Sequence, residues 1–157
     1  SRPRLLEVAA ERITAGATVR AMRLNVVECP RIVPVSGDEG FTVVTCAYGL
    51  RKFFQRRRAM REAARVLAPG GRYVVLEFGT PPNAVWRALY RFYLTHMIPV
   101  IGGAVTGDRS GFDYLRDSIK AFPPQDAIAQ ELHEAGFSQV EYENCTGGIV
   151  AVYAAVK

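Results

Sequence analysis

Cysteine and histidine are scarce in this sequence. Its 157 residues include three cysteines and two histidines, and the cysteines, Cys29, Cys46 and Cys145, lie far apart. No CxxC pair or other Cys/His ligand spacing occurs, and an odd number of separated thiols does not make a disulfide framework. We therefore expect no metal site and no disulfide scaffold, and reduced thiols predict a cytoplasmic setting.

A long hydrophobic run is also missing. The sequence contains no stretch of about 18 uncharged apolar residues, the length needed to span a bilayer, and we find no signal-peptide pattern. The nearest stretch, Ala84 to Ile101, is interrupted by Arg87, Arg91 and His96. It is predicted to be an amphipathic helix and not a transmembrane one.

Acidic residues are outnumbered, 15 against 20 Lys and Arg, which gives a net charge of +5. The basic residues concentrate in one run: Arg51, Lys52, Arg56, Arg57, Arg58, Arg61 and Arg65. Such a run is usually the solvated face of a helix, and the alternatives are an anionic membrane surface, an acidic partner or nucleic acid. Because nothing but the charge run supports nucleic-acid binding, we predict no nucleic-acid partner.

Strands and helices alternate along the chain. Phe41 to Cys46 and Tyr73 to Phe78 are continuous apolar runs of the kind buried on both faces of a parallel sheet. Between them, Arg56 to Leu67 has apolar residues at helical spacing, and Pro69-Gly70-Gly71 ends that helix. A strand, a helix and a strand in this order predict a crossover between parallel strands.

The remaining elements complete an α/β pattern. Two helices are expected after residue 110, and two final strands separated by Thr146-Gly147-Gly148 predict an antiparallel hairpin at the C-terminal end. The predicted elements are the helix Pro3 to Thr14, the strand Val19 to Val27, the helices Phe112 to Phe122 and Asp126 to Ala135, and the strands Val140 to Asn144 and Ile149 to Val156.

The stretches Cys46 to Gly49 and Glu77 to Thr80 lie at the carboxyl ends of the two predicted parallel strands. In open α/β sheets, ligands bind at the carboxyl ends of the strands, and small residues let a ligand approach the backbone there. A plain turn followed by solvated cations explains Gly49, Arg51 and Lys52 equally well. The residue types alone leave both interpretations open.

Several longer motifs narrow the choice. They are "AYGLRKF", "REAARVLAPGGRYVVLEF", "THMIPVIGGAV", "YLRDSIKAFPPQ" and "LHEAGFSQVEYENCTGGIVAVY". In order and spacing, over about Phe41 to Tyr153, the chain resembles the ubiquinone/menaquinone biosynthesis C-methyltransferases, which are class I S-adenosylmethionine-dependent enzymes. The resemblance implies one Rossmann-like methyltransferase domain over residues 1–157, with a helical lid or substrate insert at about 81–123.

The sequence departs from that family in its N-terminal part. The family's glycine-rich loop after the first strand and the acidic residue ending the second strand have no counterpart, and Thr42 stands where an Asp is usual. We therefore expect an incomplete Rossmann-like sheet without the first two family strands, belonging to a fragment, a truncated paralogue, a record missing residues, or a subunit completed by another chain. Such a chain alone is expected not to bind S-adenosylmethionine tightly.

The resemblance implies methyl transfer from the sulfonium to a ring carbon of a polyprenyl quinol. Arg51 is the first catalytic candidate, because a guanidinium can hold a phenolate oxygen or orient a water that takes the proton. Lys52 replaces the Asn that usually follows this Arg. His96 is the second candidate, as a base, because histidine side chains ordinarily have a pKa of about 6.5, which suits proton transfer. A surface cation and a structural histidine are the alternatives.

Further site residues follow from the same resemblance. Candidates for cofactor binding are Glu28, Cys46, Ala47, Tyr48 and Gly49; candidates for substrate binding are Tyr93, Tyr114, Ser118 and Gly147. Aromatic residues at helical spacing are more often core, and Gly147-Gly148 also suits a hairpin turn. The segment Ala84 to Ile101 is either a core helix with snorkelling arginines or a lid over an isoprenoid tail or at the inner membrane face.

Two hypotheses remain at this point. The chain is a quinone-biosynthesis C-methyltransferase acting on a lipid-like quinol, with peripheral membrane contact and either a homo-oligomeric partner or a complementing chain. Alternatively, it is a catalytically inactive methyltransferase-like scaffold or partner subunit. The absent glycine-rich loop favours the second, and the retained "GLR", "IGG", "SI" and "TGGIVA" segments favour the first.

Overall fold

A four-stranded sheet organises the part of the chain described by the computed structural model, which comprises residues 40–98, 100 and 110–157. The strands are β1 (Phe41–Ala47), β2 (Leu67–Phe78), β3 (Gln139–Cys145) and β4 (Val150–Val156). Their order is β1-β2-β4-β3, with β1 and β2 parallel and the other neighbours antiparallel. The predicted parallel pair and the C-terminal hairpin are confirmed.

Four α-helices connect or flank the strands in the described residues. They are α1 (Arg56–Val66), α2 (Ala84–Phe92), α3 (Ser110–Ala121) and α4 (Gln125–Glu134). A π-helical segment, Tyr93–Met97, extends α2, and short 3-10 turns occupy Leu50–Lys52 and Thr146–Gly148. These helices agree with those predicted after residue 40. The helix and strand predicted between Pro3 and Val27 lie outside the described residues.

One face of the sheet carries the main core. Side chains from β2 and β4 alternate between buried and half-buried, as expected for a sheet covered on one side. The buried set packs against α1 and α4, and its largest members include Met60, Leu67, Ile128, Leu132 and Tyr153. On the opposite face, the outward side chains of both strands remain half-buried.

β1 is less enclosed than its apolar sequence predicts. Burial on both faces was expected for Phe41 to Cys46, but no residue of β1 is fully buried, and Thr42 and Thr45 are exposed. Among the described residues, β1 pairs with β2 alone. The expectation of two-sided burial is therefore wrong for the described part of the sheet, where β1 is an edge strand.

The Pro69-Gly70-Gly71 segment also differs from its prediction. The helix ends at Val66, and β2 already begins at Leu67, so the three residues lie inside the irregular start of the strand. The backbone N–H of Gly70 donates to the Lys157 carbonyl (3.2 Å), and the Lys157 N–H donates to the Gly71 carbonyl (3.0 Å). These bonds to the end of the chain supply the partners that hold the segment in the sheet.

Much of the basic run is neutralised within the molecule. Arg56 makes a two-pronged ion pair with Glu131 of α4, through Nε and Nη2 at 2.7 Å each. Arg57 pairs with Glu134 at 3.1 Å, and Arg65 pairs with Glu62. The guanidinium of Arg56 lowers the pKa of Glu131 below its ordinary value. The run therefore joins α1 to α4 as well as facing solvent.

A second, smaller core joins α2 to α3. It consists of Tyr90, Leu94 and Ile119, with Phe78 and Leu115 packed against it. No helix in residues 40–98, 100 and 110–157 has both the length and the hydrophobicity needed to cross a membrane. The helices of this region are instead held against the carboxyl end of β2.

Candidate active site

The carboxyl end of β1 turns sharply into the 3-10 segment. Tyr48 has a left-handed backbone conformation, with φ of 52°, and its N–H donates to the Leu76 carbonyl at 2.8 Å. A Cβ added at Gly49 would lie 3.1 Å from Cys46 Sγ, so a side chain there would crowd the strand end. The joint is thus a constrained turn tied to the neighbouring strand.

Arg51 leaves this turn and forms a buried ion pair. Its Nη1 donates to Glu77 Oε1 at 2.8 Å, and its backbone N–H donates to Glu77 Oε2 at 3.1 Å. The Arg51 side chain is 6% exposed and that of Glu77 is 0% exposed. The surface-cation alternative for Arg51 is therefore wrong, because the side chain lies inward over the carboxyl end of β2.

Further contacts fix the plane of the Arg51 guanidinium. Nη1 also donates to the Tyr48 carbonyl at 2.8 Å, and Nε donates to Ser118 Oγ of α3 at 3.4 Å. Its Cζ lies 5.0 Å from the centroid of the Phe78 ring, within the range of a cation–π contact. Among the described residues Nη2 makes no hydrogen bond, so this nitrogen is left for an external acceptor.

Aromatic and thiol groups border the same strand ends. The rings of Tyr48 and Phe78 lie 5.0 Å apart, centroid to centroid. Burial raises the pKa of the Cys46 thiol, and the nearby Glu77 carboxylate adds to the rise. Burial likewise raises the pKa of Tyr73, which contacts Cys46. Both groups therefore stay protonated at neutral pH, and Glu77 is the anion that balances Arg51.

A buried glutamine secures the end of β2. Gln125 Nε2 donates to the Thr80 carbonyl (3.1 Å) and to Asn144 Oδ1 (2.7 Å), while the Thr80 N–H donates to Gln125 Oε1 (3.2 Å). A Cβ at Gly79 would lie 2.7 Å from Gln125 Nε2 and 2.8 Å from the Gly148 carbonyl oxygen. Only a glycine at position 79 lets α4, β3 and the β2 end approach so closely.

The structure brings several predicted site residues together. Cys46, Ala47, Tyr48, Gly49, Arg51 and Ser118 all lie at or against the carboxyl end of β1. Ala47 and Tyr48 are exposed, which leaves the backbone accessible at this end of the strand. Lys52, the unusual residue, is exposed beside them. Glu28 lies outside the described residues.

Other predicted residues lie elsewhere. His96 is exposed, with its ring 4.8 Å from that of Phe92, and Tyr114 is exposed on α3. Tyr93 lies near Tyr90 on the helical extension. Gly147 packs against Trp86, whose Nε1 donates to the Thr146 carbonyl at 3.4 Å. No described contact joins these four residues to Arg51, and their roles stay predictions.

Glu77, Phe78 and Gln125 form part of the site although sequence reasoning gave them no role. A signal for Glu77 was present, because it is the one charged residue in the apolar run Tyr73 to Phe78. A carboxylate in a buried strand requires a partner, and the nearest strand-end cation, Arg51, is the natural choice. For Gln125 the sequence offered no comparable signal, since glutamine at the start of a helix is usually exposed.

Comparison with protein families gives a match over nearly the whole chain. The model described as the ubiE/COQ5 methyltransferase family matches residues 2–157. A demethylmenaquinone methyltransferase of Mycobacterium tuberculosis H37Rv is 43% identical over 121 residues, which is 77% of this chain and 52% of the relative. One from Mycobacterium sp. strain KMS is 45% identical over 120 residues, 76% of this chain and 52% of the relative. The chain thus spans about half the length of these relatives.

Solved structures agree on the fold. A SAM-dependent methyltransferase of Thermotoga maritima is 16% identical with a TM-score of 0.52, over 77% of this chain and 58% of that chain. The [4+2]-cyclase SpnF has a TM-score of 0.55 at 17% identity, over 96% of this chain and 61% of that chain. At such identities the likeness concerns architecture, and it supports the Rossmann-like α/β class expected from the sequence.

Proposed function

The chain belongs to the ubiE/COQ5 methyltransferase family, and on that premise we propose that the protein containing it methylates a ring carbon of a polyprenyl quinol with S-adenosylmethionine as donor. The observation that carries the proposal is the buried Arg51–Glu77 pair at the carboxyl ends of the parallel strands. Ligands of open α/β sheets bind at this edge. The pair presents a fixed guanidinium there.

The chemistry assigned to Arg51 follows from its contacts. The ring carbon becomes nucleophilic when the neighbouring phenolic oxygen carries negative charge. Glu77 and the Tyr48 carbonyl accept from Nη1 and Ser118 accepts from Nε, so Nη2 remains for that oxygen. Because the donors are oriented before the substrate binds, little reorganisation accompanies the build-up of charge on the phenolic oxygen. Proton removal from the methylated ring carbon by His96 stays a prediction.

The strand end of β1 fits the donor that the family uses. Ala47 and Tyr48 are exposed, and Gly49 adds no side chain beside them, so the backbone of this turn is open to a ligand. These residues, with Cys46, would hold S-adenosylmethionine. The bound donor supplies an electrophilic methyl group on its sulfonium, and the neutral Cys46 thiol places no competing anion next to it.

The substrate is proposed to be a naphthoquinol. The 43–45% identical relatives are named demethylmenaquinone methyltransferases, and these names favour a demethylated menaquinol over a benzoquinol. The product would be a menaquinol. A parallel assay with a benzoquinol of equal tail length distinguishes the two ring systems.

The test is a methyl-transfer assay on the protein that contains this chain, and not on the chain alone. Tritiated donor and a demethylmenaquinol are incubated with the wild type and with Arg51→Lys, which keeps the charge but removes the planar set of donors. We expect labelled menaquinol from the wild type and a kcat lower by about 100-fold in Arg51→Lys, as for loss of a donor that stabilises charge in the transition state. Arg58→Lys is the matched control, since Arg58 is an exposed residue of α1 bonded to Gln55, and its activity should match the wild type.

The outcomes separate the two hypotheses. An Arg51→Lys variant as active as Arg58→Lys would contradict the role given to Arg51. A correctly folded wild type that forms no labelled product with either quinol, and shows no donor binding by calorimetry, would favour the inactive scaffold or partner subunit.

We also propose that α2 rests on a membrane surface. α2 exposes Val85, Leu89 and Phe92, and the residues that follow it expose Met97 and Val100, while Tyr90 and Leu94 are buried. An exposed apolar patch of this kind marks an interaction site, and a polyprenyl quinol resides in a bilayer because of its tail.

Leu89→Asp with Phe92→Asp should abolish flotation with neutral phosphatidylcholine vesicles. Phe54→Asp, at a fully exposed aromatic outside α2, should not; equal flotation of both variants would refute the contact.

A further inference from the structure

A cavity of about 370 Å³ lies between the end of β2 and the helices α2 and α3. Its volume is within the range of about 300–1,000 Å³ that small-molecule sites occupy. Thr80 borders it at the strand end, Arg87, Tyr90 and Arg91 border it from α2, and Lys120 borders it from α3. Three basic residues therefore line one half-open cavity.

Their charge is partly offset nearby, because Asp117 interacts electrostatically with Lys120 as well as pairing with Arg116. No Asp or Glu is among the described residues that line the cavity. Among the described residues, the side chain of Arg87 donates to the neutral Pro81 carbonyl alone, at 3.3 Å. The nearest carboxylates on α3, Asp113 and Asp117, both pair with Arg116, at 2.7 Å each. Arg91 and Lys120 form no ion pair with the described residues.

Tyr90, which also lines the cavity, carries an unpaired donor. The residue is 8% exposed, and its hydroxyl is buried without a hydrogen-bond partner among the described residues. Burial raises the pKa of this hydroxyl to about 12, so the group keeps its proton at neutral pH. A buried hydroxyl without a partner is unfavourable, and an anion in the cavity would supply the acceptor.

The lining does not suit the quinol. An isoprenoid tail offers no acceptor to the three basic side chains, of which Arg91 and Lys120 are exposed and Arg87 is half-buried. Arginine binds phosphate with two parallel N–H donors, and lysine adds a point charge. We infer that this cavity is a phosphate-binding site, formed by Arg87, Arg91, Lys120 and the Tyr90 hydroxyl, which accepts a phosphate group from inorganic phosphate or from an anionic phospholipid headgroup.

Calorimetric titration of sodium phosphate into the protein, with sodium chloride at equal ionic strength as reference, tests the site. Arg91→Gln and Lys120→Gln change exposed side chains and should each weaken phosphate binding about tenfold, equivalent to about 1.4 kcal/mol. Arg58→Gln removes the same charge from α1 outside the cavity and should change the affinity less than about twofold, since exposed charges beyond a Debye length are screened. Tyr90→Phe keeps the ring and should also weaken binding.

Vesicles distinguish the two sources of the phosphate. If headgroups are the ligand, binding to phosphatidylglycerol vesicles will fall in Arg91→Gln and Lys120→Gln, and inorganic phosphate will compete with it. If free phosphate is the ligand, phosphate will bind in the calorimeter while these variants leave vesicle binding unchanged. Heats equal to those of chloride, together with vesicle binding insensitive to both variants, would overturn the inference, as would an equal loss in Arg58→Gln. The methyl-transfer assay tests the proposed function independently of phosphate binding, so failure of one proposal is distinguishable from failure of the other.

Discussion

The guanidinium of Arg51 and the carboxylate of Glu77 face each other at 2.8 Å, and both side chains are almost completely buried. Arg51 follows β1, and Glu77 lies near the end of the neighbouring parallel strand β2. The ion pair therefore lies at the edge of the sheet at which the proposed substrate binds. Removing one partner of such a pair is strongly unfavourable, because the other charge is then left in a low-dielectric environment.

Glu77→Gln should destabilise the protein and reduce methyl transfer together. The free energy of unfolding, measured by urea denaturation, is expected to fall by about 3 kcal/mol or more, the range found for a broken buried pair. Glu62→Gln, which breaks the more exposed pair with Arg65, should lower it by less than about 1 kcal/mol. Equal effects of the two substitutions would contradict the assignment.

A double variant separates folding from chemistry at this pair. Arg51→Met in the Glu77→Gln background removes the uncompensated charge, and it should recover part of the lost stability. It should not recover activity, because no guanidinium remains for the phenolic oxygen. Recovery of kcat along with stability would show that the pair is purely structural.

Glu131 predicts a defined response to acid. Its pKa is lowered, chiefly by the hydrogen bonds from Arg56, below the ordinary value of 4.5. Below pH 4.5 the unfolded chain therefore binds this proton more readily than the folded chain does, and the stabilisation is lost as the pH falls through the folded pKa. Urea denaturation at a series of pH values should show a shallower fall below pH 4.5 in Glu131→Gln than in the wild type.

Glu134→Gln is the control for that experiment. Glu134 lies on the same helix and pairs with Arg57, but both side chains are largely exposed, so the pair contributes little. Its acid profile should match the wild type. If Glu131→Gln shows the wild-type profile as well, the ion pair between α1 and α4 does not form as described.

Gly147→Ala should disturb the contact between α2 and the turn before β4. The glycine has φ of 66°, and an added Cβ would lie 2.6 Å from Trp86 Nε1. Gly70→Ala introduces similar backbone strain, at φ of 74°, in open space, and should cost about 1–2 kcal/mol. Gly147→Ala should cost more and alter the emission of Trp86, the only tryptophan; unchanged emission would argue against the packing.

Gln125→Leu should loosen the end of β2. The substitution removes three hydrogen bonds and leaves buried backbone groups of Thr80 unpaired, so stability should fall by about 2 kcal/mol or more. Amide exchange at Thr80 should accelerate. Gln130→Leu, on the same helix but at an exposed position bonded to Glu134, should stay within about 0.5 kcal/mol of the wild type.

Much of the described fold could be predicted because its signals are local. The apolar runs at Phe41 and Tyr73 and the helical spacing from Arg56 are short-range patterns, and they gave the correct elements and the parallel pair. The start of β2, in contrast, is not set by a local sequence signal. Pro69-Gly70-Gly71 is an ordinary helix stop in sequence, and its place in the strand depends on bonds to Lys157 at the other end of the chain.

The site was harder to predict than the fold. Arg51 was chosen for its residue type and position, but its partner is 26 residues away and Ser118 is 67 residues away, separations that periodicity does not encode. The burial of Arg51 depends on the packing of α3 over the ends of the strands. The phosphate cavity likewise joins cations from two helices that appear unrelated in the sequence.

The turn after β1 has a consequence for protein engineering. Tyr48, Arg51 and the end of β2 are joined by the hydrogen bonds that Nη1 of Arg51 donates to the Tyr48 carbonyl and to Glu77, so the octapeptide from Cys46 to Phe53 is not a portable module. If the octapeptide were grafted onto another Rossmann-like scaffold, its arginine would keep this orientation only if a carboxylate equivalent to Glu77 were introduced as well. The feature therefore requires the ends of two strands, which are separated in the sequence by the whole of helix α1.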